Sequence, residues 1–266
     1  MTDPRRRPST RSGRPEPFER RDHYSYTAYA DPATARSFDD LRFGGPIGDL
    51  IAGTQARVLA NMIGRIQERV ILDVGTGTGR AALMLARGGA QVTAVDASEQ
   101  MLAIARRRAE EQRVSVRFLT GDAHALDFKD CAFDVAVSLR VLMHAAEWDR
   151  CLSELCRVAE RLVIFDYPSA RSGALLDAMA RRVVHAVGGR TEAYRVFSDR
   201  TIARALHRSG FRVRSVHRQF VLPIRLHKAI GSRRFTEFSE DVLDRVGLLR
   251  LFGSPVTLCA ERCMSS

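Results

Sequence analysis

At 266 residues, of which 45% are apolar, the chain is long enough for one globular core with additions and has the composition of an ordinary folded protein. It carries 42 Lys or Arg against 31 Asp or Glu, a formal net charge of +11, which raises nucleic acid and acidic surfaces as partners. No run approaches the ~18 consecutive apolar residues of a membrane span and the start lacks the apolar core of a secretory signal, so a cytoplasmic location is expected.

Residues 1–22 hold seven arginines, four prolines and no apolar periodicity. Such a segment buries too little surface to order itself, and it is read as a disordered basic tail. Its arginines stand against Asp3, Glu16, Glu19 and Asp22, a net of +3 that fits a nucleic-acid arm less well than a solvated tail. Residues 24–40 turn aromatic and helical, residues 42–48 read as a Gly/Pro loop, and residues 50–66 as a helix.

A short strand at 70–72 enters Asp73-Val74-Gly75-Thr76-Gly77-Thr78-Gly79. Three alternate glycines between a strand and a helix let backbone approach a ligand closely, the geometry of a nucleotide-like cofactor site. Residues 81–86 form the helix, ended by Gly88-Gly89, and the strand 91–95 stops at Asp96. A carboxylate at the end of the second strand of a βαβ unit accepts the hydroxyl hydrogens of a ribose. Read singly, Asp96 is equally an N-cap for the helix 98–108, and Asp122, after the strand 114–119, equally a turn cap.

In their joint order these pieces resemble the class I S-adenosylmethionine-dependent methyltransferases. The resemblance covers about residues 65–215 and rests on an acid followed by G-x-G-x-G, here Asp73 with Gly75, Gly77 and Gly79. It implies an α/β fold, a Rossmann-like seven-stranded mixed sheet with helices on both faces, and S-adenosylmethionine as cofactor. It further implies cofactor contacts from Thr76, from Asp96 at the ribose, from Ala97 to Met101 along the adenine, from Asp122 and Ala123 at the adenine edge, and from Leu139. The aromatic stretch 24–40 resembles the N-terminal helix that lids the cofactor in small-molecule members, and core packing explains the same aromatics.

Residues 133–138 read as the fourth strand, and the loop after it holds Arg140 and His144. A neutral histidine there suits proton removal from a hydroxyl, so His144 is the candidate catalytic base. A histidine hydrogen-bonded behind the pocket reads equally well. Arg140, Asp166 and Tyr167, at strand ends, are candidates for orienting the acceptor.

A helix at 147–159 precedes a fifth strand at 161–165, without the Pro-Gly-Gly turn usual in the family, so the connection is expected to be tight. Helices at 172–187 and 198–209 and a long sixth strand at 211–221 follow. The family then passes to a last strand through a short turn; here residues 223–253 intervene before a strand at 255–260, and their helical spacing predicts a cap over the acceptor pocket. The domain reading is thus a tail at 1–22 and a methyltransferase domain at 23–266.

Residues 211–250 carry nine Lys or Arg against four Asp or Glu, a net of +5, beside apolar residues. Basic amphipathic helices mark membrane surfaces, which predicts peripheral membrane contact and a lipid-like acceptor. The resemblance is to the broad small-molecule group that includes quinone and polyketide methyltransferases, and it implies a small-molecule acceptor, lipid-like or phenolic, with oxygen expected first as the methylated atom and carbon or nitrogen as alternatives. An arginine bias without a partner explains the charge as well, since only Lys129 and Lys228 are lysines. Nucleic acid is disfavoured, because the loop after the fourth strand reads Ser138-Leu139-Arg140-Val141 rather than Asn-Pro-Pro-aromatic and no Pro-Cys pair exists. The alternatives are an RNA or protein acceptor, or a non-catalytic cofactor-binding protein. Five cysteines without a C-x-x-C pair predict reduced thiols and no metal, with Cys151 and Cys156 as core residues. Oligomeric state leaves no signal.

Overall fold

The structure, a computed structural model, describes residues 43–145, 147–173 and 195–263. The tail, the aromatic segment 24–40 and nearly all of the expected helix 172–187 lie outside these residues.

The described chain opens with α1 (Gly45–Ile63), which begins where the sequence suggested a loop. Pro46 sits in its first turn, where a missing N–H costs nothing, and Gly64 at φ 76° ends it before residue 66. Then come β1 (Val70–Val74), α2 (Arg80–Arg87), β2 (Gln91–Asp96), α3 (Glu99–Gln112), β3 (Arg117–Thr120) and β4 (Phe133–Ser138). β3 starts three residues later than expected because Arg113, at φ 55°, closes α3 and Val114 N–H donates back to Ala109 O at 3.0 Å. The Ser98 hydroxyl caps α3 by accepting from Met101 N–H at 3.2 Å, so that cap does not fall to Asp96.

The second half holds α4 (Trp148–Val158), β5 (Ala159–Tyr167), α5 (Asp199–Arg208), β6 (Phe211–Arg218), α6 (Ile224–Ile230), α7 (Arg233–Arg245), α8 (Leu248–Phe252) and β7 (Val256–Arg262). α4 runs directly into β5, the tight connection that the missing Pro-Gly-Gly turn implied. β6 stops before residue 221 because Val221 and Leu222 turn their N–H groups to the Glu240 carboxylate, at 2.7 and 3.1 Å, instead of to a strand.

The seven strands form one sheet in the order β3-β2-β1-β4-β5-β7-β6. β1 through β5 pair in parallel, and β7 lies antiparallel between β5 and β6, giving the mixed sheet expected. Side chains alternate across the central strands, so Leu72, Ala136, Val163 and Phe165 face one core layer and Ile71, Val135, Val137 and Ile164 the other. α4 and α5 cover the first layer with Leu152, Leu155, Ile202 and Leu206, and α1 and α2 the second with Leu59, Met62 and Leu85. Burial on both faces is why these strands read as apolar runs.

Cys151 and Cys156 lie fully in the core, where burial pushes each thiol up to about 12. No described helix is long and apolar enough to cross a membrane. The insert 223–253 is helical as expected, but α6 and α7 pack on α1.

Candidate active site

The strand order reverses about β1, whose neighbours β2 and β4 leave in opposite directions. An open sheet forms its ligand crevice at the carboxyl ends of such strands. A cavity of about 180 Å³ lies there, walled by the ends of β1, β2 and β4, the loop after β3 and the turn after β4.

The glycine-rich turn builds the floor. Gly75, at φ 70°, donates its N–H to Val95 O at 2.7 Å, and a Cβ there would meet Val141 Cγ2 at 2.1 Å, so any other residue would displace Val141 and strain the turn. Gly77 N–H donates to Asp96 Oδ2 at 2.7 Å, while Asp96 Oδ1 accepts Ser98 N–H at 2.9 Å. Gly79 does a different job: it starts α2 at φ 84° with a would-be Cβ 2.9 Å from Ala105 Cβ, so it serves the α2–α3 contact and does not line the cavity.

Two buried acids dominate the electrostatics. Asp73 is 2% exposed, accepts the Thr76 hydroxyl at 2.6 Å and the Ala82 N–H of the first turn of α2, and its pKa is nonetheless raised to about 6 by burial. Burial also raises Asp96, against its three backbone N–H donors. Carboxylates desolvated beside an open cavity favour a cationic ligand, whose charge offsets that desolvation. S-adenosylmethionine, with a sulfonium, an ammonium and a ribose diol, matches this donor set.

Of the expected site residues, Asp73, Gly75, Thr76, Gly77, Asp96, Ala97, Met101, Ala123, Leu139 and His144 line this one cavity, whereas Gly79 and Asp122 do not. Asp122 Oδ1 accepts His124 N–H at 2.8 Å and meets His124 Nδ1 at 2.7 Å, the turn-cap role. Met101 is held at the first turn of α3 by the Ser98 cap.

The wall opposite is the turn after β4. Arg140 adopts φ 66°, unusual outside glycine, with its N–H donated to Asp166 Oδ1. His144 N–H and Ala145 N–H both return to Val141 O, at 2.9 and 3.0 Å, making one helical turn. Arg195 clamps that turn by donating its backbone N–H to Met143 O at 3.0 Å and its Nη1 to Ala145 O at 2.6 Å. His144 is 9% exposed and Arg140 half-buried, with Arg140 Nε buried and lacking a hydrogen-bond partner among the described residues.

Two acceptor-orienting candidates move elsewhere. Asp166 is 2% exposed and holds the Arg140 backbone without lining the cavity. Tyr167 is a core residue, packed edge-on to Phe197, its hydroxyl donating to Asp199 Oδ1 at 2.9 Å. Sequence reasoning missed Phe43, Gln55, Arg80 and His124, all of which line the cavity. Arg80 and His124 adjoin motifs already recognised, a usable signal, while Phe43 and Gln55 arrive through the packing of α1 and leave none. His124 is nearly sealed, and its Nε2 accepts Glu147 N–H at 3.3 Å, joining the loop after β3 to the start of α4. A second cavity, of about 440 Å³, adjoins the first and shares Phe43, Gln55, Arg80, Ala81 and Leu139 with it. None of the insert helices lines either cavity, so the cap expected over the acceptor pocket is replaced by a buttress behind α1.

Fold, crevice and acid pair define a class I S-adenosylmethionine-dependent methyltransferase, and the chain belongs to that family. A methyltransferase-domain family model matches residues 71–161. The demethylmenaquinone methyltransferase of Deinococcus radiodurans is 32% identical over 167 residues, 55% of this chain and 69% of its own length. That of Thermus thermophilus is 42% identical over 127 residues, 45% of this chain, so the chain spans only 58% of that relative's length. The magnesium protoporphyrin IX methyltransferase of Synechocystis PCC 6803, solved with bound S-adenosylhomocysteine, shares the fold with a TM-score of 0.62 over 89% of this chain and 99% of its own, at 21% identity.

Proposed function

We propose that the chain transfers a methyl group from S-adenosylmethionine to an oxygen of a small acceptor, lipid-like or phenolic. The observation that carries this reading is the placement of His144 and Arg140 on the wall facing the buried pair Asp73 and Asp96, within one cavity. Demethylmenaquinone, named for two relatives, is a lipid-tailed quinone, which supports the lipid-like part of this reading and not the choice of oxygen.

The cofactor supplies a methyl already activated by its sulfonium. Asp73 takes the cofactor's ammonium, Asp96 the ribose hydroxyls, and Ala97, Met101 and the backbone at Gly121 and Ala123 border the adenine. Leu139 and Val141 exclude water from the transfer axis. His144 removes the acceptor hydroxyl proton, and Arg140 stabilises the oxyanion that results. Holding acceptor and methyl in line supplies much of the acceleration.

Transfer of labelled methyl from S-adenosylmethionine to a panel of long-chain phenols and hydroquinones tests the reading. His144→Gln is expected to lower kcat by about 10²- to 10⁴-fold while leaving cofactor affinity unchanged. Unchanged turnover removes His144 as the base, and label found only in RNA or protein rejects the acceptor class.

A further inference from the structure

Large apolar side chains that stand exposed among the described residues all lie between Val213 and Phe252, on β6 and the insert helices. Phe238 is 71% and Val246 65% exposed. Elsewhere the described surface shows no such residue, so the exposure is confined to one stretch of the chain.

α7 shows how that face is arranged. At ~100° per residue, Phe235, Phe238, Val242 and Val246 fall in one stripe, Thr236 and Glu240 turn toward the body of the protein, and Arg234 and Arg245 border the stripe on one side. The acids Glu237, Asp241 and Asp244 lie beyond those arginines, Glu237 paired with Arg233 at 2.8 Å and Asp241 with Arg245 at 2.6 Å. Glu240 is spent internally: it accepts Val221 and Leu222 N–H and meets buried His227 Nε2 at 2.9 Å, locking α6 to α7. α6 and α8, which pack against α7, contain no acid and set Arg225 and Arg250 beside exposed Leu226 and Leu251.

We propose that this outward face of residues 224–252 docks on the surface of an anionic lipid bilayer. An apolar stripe bordered by arginines matches the boundary between acyl chains and anionic headgroups. Against a second copy of itself the same face sets cation to cation, on a chain already at +11. α1, on which α6 and α7 pack, supplies Gln55 to the cavity, so docking stations the site two helix layers, α7 and α1, from the bilayer. That a lipid-like acceptor enters from there rests on the proposed function; docking itself does not.

The test is co-sedimentation of the full chain with phosphatidylcholine vesicles, with and without phosphatidylglycerol. The expected result is binding to the anionic vesicles alone, weakened by salt and lowered about tenfold or more by F238E with V242E, while thermal unfolding and S-adenosylmethionine affinity stay as in the wild type. Absence of binding to anionic vesicles, or equal binding by the variant, overturns the proposal. So does a dimer that dissociates in the variant without any vesicle binding, since the face then meets a second copy. Vesicle binding lost in the variant, together with no methyl transfer to any lipid-like phenol, upholds docking and rejects the acceptor reading.

Discussion

The crevice at the carboxyl ends of β1, β2 and β4 and the helical insert 223–253 are built on opposite terms. In the crevice polar groups are buried and apolar ones hidden, so Asp73 and Asp96 are held desolvated beside glycines that tolerate no Cβ or none without strain. In the insert the apolar groups face outward, and the interior is tied by a polar set, Glu240, His227 and Thr236, with His227 fully buried. One region stores unfavourable electrostatics that a cationic ligand would relieve; the other stores unfavourable apolar exposure that a covering surface would relieve.

The largest expected effect that sharpens this contrast is at Gly75. G75A places a Cβ 2.1 Å from Val141 Cγ2 at a positive φ, and a loss of about 3 kcal/mol in urea unfolding is expected, together with loss of cofactor binding. E240A should cost about 2 kcal/mol, because two backbone N–H groups and His227 lose their acceptor, yet leave S-adenosylmethionine affinity within twofold in calorimetry. Equal damage to affinity by both would erase the distinction between the regions.

The acid pair gives a pH signature. Burial raises Asp73 from 3.8 to about 6, so the folded protein prefers its protonated form, and stability falls as pH rises through that window, by about 3 kcal/mol in full. An ammonium needs the ionised carboxylate. Cofactor affinity is therefore expected to weaken about tenfold per pH unit below 6, and D73N should abolish that slope. The smallest effect lies on the insert: F238S, at a side chain 71% exposed, should change stability by no more than about 0.5 kcal/mol in thermal unfolding.

Sequence carried the crevice well because its signals are local. A strand, a glycine at each sharp turn and an acid at a strand end stand within a few residues of one another, from Asp73 to Gly79 and from Gln91 to Asp96. What sequence missed is tertiary. Pro46 reads as a loop residue until the helix it starts is seen, and Gln55 reaches the cavity only because α1 packs on the sheet at β5. Gly79 looks like its neighbours in the motif but answers to Ala105 on another helix. Tyr167 sits at a strand end, where ligands bind, and is claimed by Phe197 and Asp199 instead. The insert's helices followed from periodicity, but their position behind α1 did not, since amphipathicity says which face is apolar and not what lies against it.

In the proposed reading, Asp73 and Asp96 are the groups that make this crevice a site for S-adenosylmethionine. Calorimetric titration of S-adenosylmethionine and S-adenosylhomocysteine, with NADH alongside and D96A as the control, tests it most directly. Micromolar binding of both adenosyl ligands is expected, with none of NADH and a loss of about tenfold or more in D96A, which would remove the proposed acceptor for the ribose hydroxyls. Failure of both adenosyl ligands to bind the folded wild-type chain, or binding untouched by D96A, would contradict it.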